Sequence, residues 1–250
     1  MPDARRTCLI IPTYNNAGTV AHVVADVLAY GLPVLVVNDG STDATEACLA
    51  PFADAITLLS YMPNKGKGYA LEQGFKRARA MGFDYALTLD SDGQHFATDI
   101  PLFLEALQAH PGNTLVIGSR LLTQENMPRK NTFANRFSNF WYAVQTAHRL
   151  PDTQTGYRLY PLYKMKRMHC LTARYEAELE LLVRLTWRGT RPVPIPIQVY
   201  YAPEGERVTH FRKGRDFLRI SLLNTVLCIV AILYGYPAMG LNKIGTWINS

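Results

Sequence analysis

Over the first 120 positions, apolar residues come in short continuous runs, each followed by a polar turn and then by a stretch of helical period. Thr7-Cys8-Leu9-Ile10-Ile11-Pro12 predicts a buried strand that stops at a proline, and Thr13 to Gly18 a polar turn before a helix from about Val20 to Tyr30. Pro33 to Val37, followed by Asn38-Asp39-Gly40-Ser41-Thr42-Asp43, repeats the plan, with Ser41 or Thr42 as the expected N-cap of the next helix. A third unit has Ala55 to Leu59 as strand, Asn64-Lys65-Gly66-Lys67-Gly68 as loop and Tyr69 to Met81 as helix. The fourth strand opens at Tyr85 and runs into Asp90-Ser91-Asp92-Gly93-Gln94-His95. A helix over Ile100 to His110 and a fifth strand over Thr114 to Arg120 follow. This alternation predicts an α/β fold, a Rossmann-like, mostly parallel sheet with helices on both faces. Ligands of such sheets gather at the carboxyl ends of the strands, where Asp39, Gly66 and Asp90 all fall.

The second half is less regular. Residues 121–133 read as a mobile loop, and Asn135 to Leu150 as a helix with Phe137, Phe140, Trp141 and Val144 at helical spacing. Asp152 to Arg158 is polar and glycine-bearing, and another helix is expected around Tyr175 to Leu179. Phe217 to Tyr236 is almost continuously apolar with Arg219 as its one charge, and as a helix it would be about 30 Å long, enough to span a bilayer. Ser221, Asn224 and Thr225 in its first half leave an interfacial helix and a buried core helix as alternatives. The chain thus divides into a catalytic domain over 1–214 and a membrane-associating tail over 215–250. Arg207, Arg212, Lys213 and Arg215 just before the apolar run suit anionic headgroups and put that flank on the cytoplasmic side. No nucleic-acid motif accompanies them, so nucleic acid is not an expected partner.

Composition narrows the classes. A chain of 250 residues that is 48% apolar can bury one large core, which excludes disorder as its main state. Its net charge of +6 and pI near 9.1 suit an anionic partner such as a nucleotide or a phospholipid surface. Cys8, Cys48, Cys170 and Cys228 are scattered without Cys-x-x-Cys spacing, so neither a disulfide framework nor a thiolate zinc site is indicated, and a reducing location is expected. Met1 to Arg6 leads straight into the first strand without the apolar core of a signal peptide.

The candidate chemistry sits in Asp90-Ser91-Asp92-Gly93-Gln94. Two carboxylates one residue apart at a strand end project to one side, and Gln94 continues the series with a carbonyl oxygen. Oxygen ligands of this kind suit Mg²⁺ or Mn²⁺, which keep positions open for phosphate oxygens. The alternative is a solvated Asp-Ser-Asp-Gly turn. A calcium-binding loop fails twice, with His95 where it needs glycine and Pro101 where it needs glutamate. Gly66-Lys67-Gly68-Tyr69-Ala70-Leu71 carries Leu where the dinucleotide fingerprint wants Gly or Ala, and no Gly-x-x-x-x-Gly-Lys-Ser/Thr loop occurs. That glycine loop reads instead as a backbone and lysine contact to phosphate or base, or as a plain helix start.

In order, Ile11-Pro12-Thr13-Tyr14-Asn15, Val37-Asn38-Asp39-Gly40-Ser41, Asn64 to Gly68, Asp90 to His95, Gly118-Ser119-Arg120, Asp152 to Arg158, and Glu176 with Glu178 resemble family-2-type glycosyltransferases of the GT-A fold. The resemblance is to the branch of dolichol-phosphate mannosyltransferases and polyprenyl-phosphate glucosyltransferases, and covers roughly residues 7–200. It implies that Pro12, Tyr14, Asn16, Asp39, Lys65, Asp90 and Ser91 surround the nucleotide of a UDP- or GDP-sugar. Asp90, Asp92 and Gln94 would hold Mn²⁺ or Mg²⁺ on its diphosphate. Arg120 and Arg158 would meet donor or acceptor phosphate. Sugar would pass with inversion to a polyprenyl phosphate, another lipid or a saccharide, with Asp152, Glu176 and Glu178 as candidates for base or acceptor positioning. The chain departs from that branch after its Pro-Ile strand, where Arg207, His210 and Arg212 stand in place of the usual Arg and Gly-x-Ser-Lys cations. A nucleotidyltransferase and a sugar-nucleotide-binding membrane scaffold without turnover are the competing readings.

Overall fold

The computed structural model describes residues 6–120, 129–166, 168–200 and 213–248. Strands β1 (Thr7–Thr13), β2 (Val34–Asp39), β3 (Ile56–Tyr61), β4 (Tyr85–Thr88), β5 (Thr114–Arg120), β6 (Arg158–Pro161) and β7 (Arg191–Ile197) form one sheet in the order β3-β2-β1-β4-β6-β5-β7. All neighbours pair in parallel except those of β6, which runs against both β4 and β5. Continuous apolar runs make β1 and β2 buried on both faces. Leu9, Ile11, Val34 and Val36 face one layer with helices α1 (Val20–Leu28) and α4 (Ile100–Ala109). Ile10, Leu35 and Val37 face the other, with α3 (Lys67–Ala80), α5 (Arg129–Thr146) and α6 (Glu176–Trp187). A short helix, α2 (Thr45–Leu49), follows β2.

The doubly covered, mostly parallel sheet is the expected one, and β5 has the expected bounds. Three readings change. The polar stretch ending at Arg158 hides β6, four residues long and closed by Pro161. Its reversed direction lands Arg158 and the preceding loop at the carboxyl edge beside Thr88. Helix α5 begins at Arg129, so the expected loop over 121–133 is overturned for 129–133, while 121–128 lie outside the described residues. Neither Ser41 nor Thr42 caps α2; the Asp43 carboxylate accepts from Thr45 N at 3.0 Å instead. The outer edge of β7 is sealed by its sequence, because Arg191 N donates to Asn113 O across the β5 side. Pro192, Pro194 and Pro196 then sit at the outward positions, where no N–H is needed.

The apolar run at the C-terminus forms α7 (Lys213–Val230), a single π-helical turn (Ala231–Gly235) and α8 (Tyr236–Ile248). Its inner face is core: Leu223, Leu227 and Ala231 belong to the same apolar cluster as Ile10 and Leu35. Asn224 meets Gln145 Nε2 at 3.0 Å, Asn242 Nδ2 donates to Trp187 O at 3.1 Å, and Tyr236 OH donates to Val144 O. The π turn lies where Trp187 presses on the helix, and a Cβ at Gly235 would stand 2.5 Å from the indole. The outer face is apolar and bare, with Leu218, Leu222, Ile232 and Leu233 each about two-thirds or more exposed.

Candidate active site

At the carboxyl edge of β1 and β2, three turns are laced to one another. Asn15 N donates to Ser41 Oγ, Thr42 N to Asn15 Oδ1, and Asn16 N to Thr45 Oγ1, at 2.8–3.0 Å. The Asp39 carboxylate is buried and filled: it accepts from Lys65 N at 2.8 Å, Gly66 N at 2.7 Å and Asn64 Nδ2 at 2.9 Å. Gly40, at φ +72°, allows this closure, since a Cβ there would stand 2.6 Å from Asn64 N. Asp39 therefore holds the glycine loop in place rather than standing open to a base. Pro12 is buried inside β1. Asn16 Nδ2 donates to Ser91 Oγ at 2.7 Å and Thr19 Oγ1 to Ser91 O at 2.6 Å, which ties the first turn to the paired carboxylates. The Lys65 ammonium lies 4.7 Å from the Tyr69 ring centre.

The carboxylates after β4 are in a different state. Asp90 Oδ1 meets Lys67 Nζ at 2.7 Å, and the same ammonium meets Glu178 Oε2 at 2.9 Å. Burial alone would raise the Asp90 carboxyl, but the Lys67 ammonium, with Arg158, holds it below the usual range. Asp92 accepts from Gln94 N at 3.0 Å, and burial together with the Asp90 charge pushes it up to about 6. Burial lowers the His95 imidazole to about 4, so it is neutral, and its Nδ1 has no hydrogen-bond partner among the described residues. Two neighbouring carboxylates at a strand end, one of them raised by the other, are oxygen donors of the kind a hard divalent cation takes. Among the described residues no three His, Cys, Asp or Glu side chains enclose a metal position.

The loop before β6 closes the site from above. Gly156 packs so tightly that a Cβ would lie 2.6 Å from Asp90 Oδ2 and 2.9 Å from Lys67 Nζ. Asp152, fully buried, takes the Arg120 fork (Nε to Oδ2 at 2.6 Å, Nη2 to Oδ1 at 3.0 Å), Asn135 Nδ2 at 2.8 Å and Gln154 N at 3.0 Å. Burial raises its pKa and the Arg120 contacts more than reverse that, so Asp152 lies below the usual range. Both oxygens of Asp152 are thus filled, and it anchors Arg120. Arg158 departs from expectation too. It is fully buried, with Nη1 on Glu178 O at 2.7 Å and Nη2 on Thr153 O at 2.8 Å, a strut under the loop rather than an open phosphate contact.

Glu176 and Glu178 open α6, where the positive end of the helix dipole favours them. Both are buried, and Glu176 Oε2 and Glu178 Oε1 lack partners among the described residues. The structure thus gathers Asn16, Asp39, Asp90, Ser91, Asp92, Glu178 and Arg120 along one edge, with Gln94 beside Asp92. Arg207, His210 and Arg212 lie outside the described residues. The sequence reading missed Lys67, His95 and Gly156. Lys67 carried a signal, standing between the two glycines of the loop, but nothing local said which carboxylates it would meet.

Comparison with known proteins gives the family and the fold. The family model for glycosyl transferase family 2 matches residues 8–168. Glycosyltransferase AglJ of Haloferax volcanii is 32% identical over 82% of this chain, which spans 66% of that protein's length. A UDP-N-acetylglucosamine--dolichyl-phosphate N-acetylglucosaminyltransferase of Methanococcus voltae is 26% identical over 77% of this chain and 85% of its own. Glucosyl-3-phosphoglycerate synthase from Mycobacterium tuberculosis, solved with Mn²⁺, UDP-glucose and phosphoglyceric acid, superposes with a TM-score of 0.60 at 18% identity, over 90% of this chain and 80% of its own, a likeness of fold. With a family model matching residues 8–168, well over half its length, the chain belongs to glycosyltransferase family 2.

Proposed function

We propose that this protein transfers a glycosyl group, with inversion, from a nucleotide-diphosphate sugar to a lipid-linked acceptor, a polyprenyl phosphate being the first candidate. The observation that carries this reading is the meeting, at one sheet edge, of self-laced nucleotide turns with buried carboxylates that lack their full complement of partners. Pro12, Tyr14, Asn16, Asp39, Lys65 and Ser91 shape the nucleoside end, Asp39 by holding the 64–66 loop. The strand end that carries Asp90, Asp92 and Gln94 is where Mn²⁺ or Mg²⁺ would be held, supplying positive charge to the departing diphosphate. Arg120, fixed by Asp152, offers a cation to donor or acceptor phosphate, and Arg207, His210 and Arg212 are proposed to join it. An acceptor oxygen attacks the anomeric carbon as the bond to the diphosphate breaks, releasing nucleoside diphosphate. An ionised phosphate acceptor needs no base; for a hydroxyl acceptor Glu178 or Glu176 would take the proton. The M. voltae relative, whose name carries both a UDP-sugar and a dolichyl phosphate, supports this class of donor and acceptor.

The tail supports a membrane-surface location. Among the described residues one stretch, Leu218–Ile244 with mean hydropathy 1.9, is long and apolar enough to cross a bilayer. Yet contacts at Asn224, Gly235, Tyr236 and Asn242 bind it lengthwise to α5 and α6. We therefore assign residues 1–214 to the catalytic body and 215–250 to a helix that lies along the cytoplasmic face of the plasma membrane, its bare face in the acyl boundary. The deciding experiment incubates the protein with UDP- and GDP-sugars, Mn²⁺ or Mg²⁺, and polyprenyl phosphate. Release of nucleoside diphosphate with a glycosylated lipid is the expected result. Release of pyrophosphate from a nucleoside triphosphate would instead make it a nucleotidyltransferase.

A further inference from the structure

The paired aspartates are alike in chemistry, but their surroundings are unequal. Asp90 is committed to Lys67 at 2.7 Å, whereas among the described residues the one hydrogen bond to the Asp92 carboxylate is from Gln94 N at 3.0 Å. Lys67 is equally committed at its far side, 2.9 Å from Glu178 Oε2. This bridge is built into the backbone. A Cβ at Gly66 would stand 2.5 Å from Ala173 O, and one at Gly68 would stand 2.3 Å from Ala177 Cβ, so only glycines on both sides of Lys67 let the start of α3 abut the start of α6. Tyr69 N seals the contact by donating to Ala173 O at 3.1 Å. The third glycine, Gly156, brings the loop before β6 against the ammonium.

We propose that Lys67 is a positioning residue that splits the paired aspartates between two tasks: Asp92 is left for the metal, while Asp90 and Lys67 form a relay that holds Glu178 on the acceptor side. The relay joins β4, α3 and α6, three elements distant in sequence, through two short ion pairs. An ammonium has three donors, and the two carboxylates take two of them beneath the Gly156 backbone. Lys67 is thus turned inward, toward the acids, and Lys65 is the lysine of the loop whose ammonium lies against the rings of Tyr61 and Tyr69. The term acceptor side rests on the transfer reading above; the division of the aspartates does not.

The test has two arms. In the first, Mn²⁺ alone is titrated into the full chain and followed by electron paramagnetic resonance. Asp92→Asn should weaken binding at least tenfold, while Asp90→Asn and Lys67→Met should stay within about threefold of the parent, because neither removes a direct ligand. Equal losses for Asp90→Asn and Asp92→Asn would overturn the division whether or not the protein is a glycosyltransferase. In the second arm, transfer kinetics are measured for Lys67→Met, Glu178→Gln, the double variant and Lys67→Arg. The two single variants should each lose about a hundredfold in kcat with donor KM little changed, and the double variant should lose no more than either, as expected of groups acting as one unit. Lys67→Arg should recover roughly tenfold by restoring the cation. Additive losses, or a Lys67→Met variant whose main defect is a raised donor KM, would make Lys67 a diphosphate contact and end the proposal. If Lys67→Met alone fails to fold, because it leaves two buried carboxylates without a counter-charge, the double variant still reads the relay, having lost one of those charges. A wild-type chain that binds Mn²⁺ as described but turns over no nucleotide sugar would defeat the functional reading and leave the division of the aspartates standing.

Discussion

The sheet edge and the C-terminal helix are incomplete in opposite ways. At the edge, polar groups are buried without partners among the described residues: Glu176 Oε2, Glu178 Oε1 and His95 Nδ1. On the helix, apolar groups stand without cover, Leu222 and Leu233 among them. In each region a complete half supports the incomplete one. The Asp39 network fixes the turns that frame the carboxylates, and Leu227, Asn224 and Gly235 lock the inner face of the helix to α5 and α6. A buried acceptor without a partner calls for a cation or a donor group, while a bare apolar face calls for a low-dielectric surface. The two regions therefore await different chemistry, and variants can separate the finished half from the waiting half in each.

The largest effect is expected from Asp92→Asn. It removes an anionic ligand without changing size, so transfer should fall by a factor on the order of 10²–10³, with fold stability retained. The sign of its stability effect follows from the raised carboxyl. A group lifted to about 6 in the folded state stabilises fully below its unfolded value and loses that contribution as pH rises through 6. Metal-free wild type should thus lose stability across that window while Asp92→Asn does not, and Mn²⁺ should raise the melting temperature of wild type alone. A parallel thermal-melt series shows both. Next comes the finished half of the helix. Leu227 is 1% exposed, and Leu227→Ala should cost about 2–5 kcal/mol of folding stability by leaving a cavity, seen as a lower denaturant midpoint.

Asp39→Ala should be milder in stability, about 1–3 kcal/mol, because it strands two backbone N–H groups at Lys65 and Gly66. Its signature is kinetic: donor KM should rise about tenfold, since the loop framing the nucleotide loses its anchor. An unchanged donor KM would detach the network from nucleotide binding. The smallest stability effect, within about ±0.5 kcal/mol, is expected from Leu222→Glu with Leu233→Glu on the bare face. Sedimentation with anionic vesicles should nonetheless fall from bound to unbound for that pair. This pair is cleaner than truncation after Gly214, which would remove the core face and the bare face together. Vesicle binding by the intact chain should also weaken with added salt, exposed charges being screened over about 8 Å at physiological ionic strength. Intact protein that ignores vesicles would end the membrane assignment.

The alternation of apolar runs with helical stretches determined the doubly covered sheet, the edge at which ligands gather, and the strand ends that present Asp39 and Asp90. Those features are local, since a strand buried on both faces and the turn that closes it are written in contiguous residues. Motif order alone also pointed to the family. Tertiary structure alone decided which charges meet. Asp152, a plausible base by its loop, is consumed by Arg120 from 32 positions away. Arg158, a plausible phosphate contact, is drawn under the loop because β6 runs backwards through the middle of the sheet. Lys67 reaches Asp90 and Glu178 only because flanking glycines let two helix starts touch. The C-terminal run could be recognised as a helix from its composition, yet which face is core depends on Trp187 and Gln145, which the fold carries to it. Backbone preference and apolar periodicity act over a few residues, whereas the state of a charge is set by whatever the fold brings within a few ångströms in a poorly solvated interior.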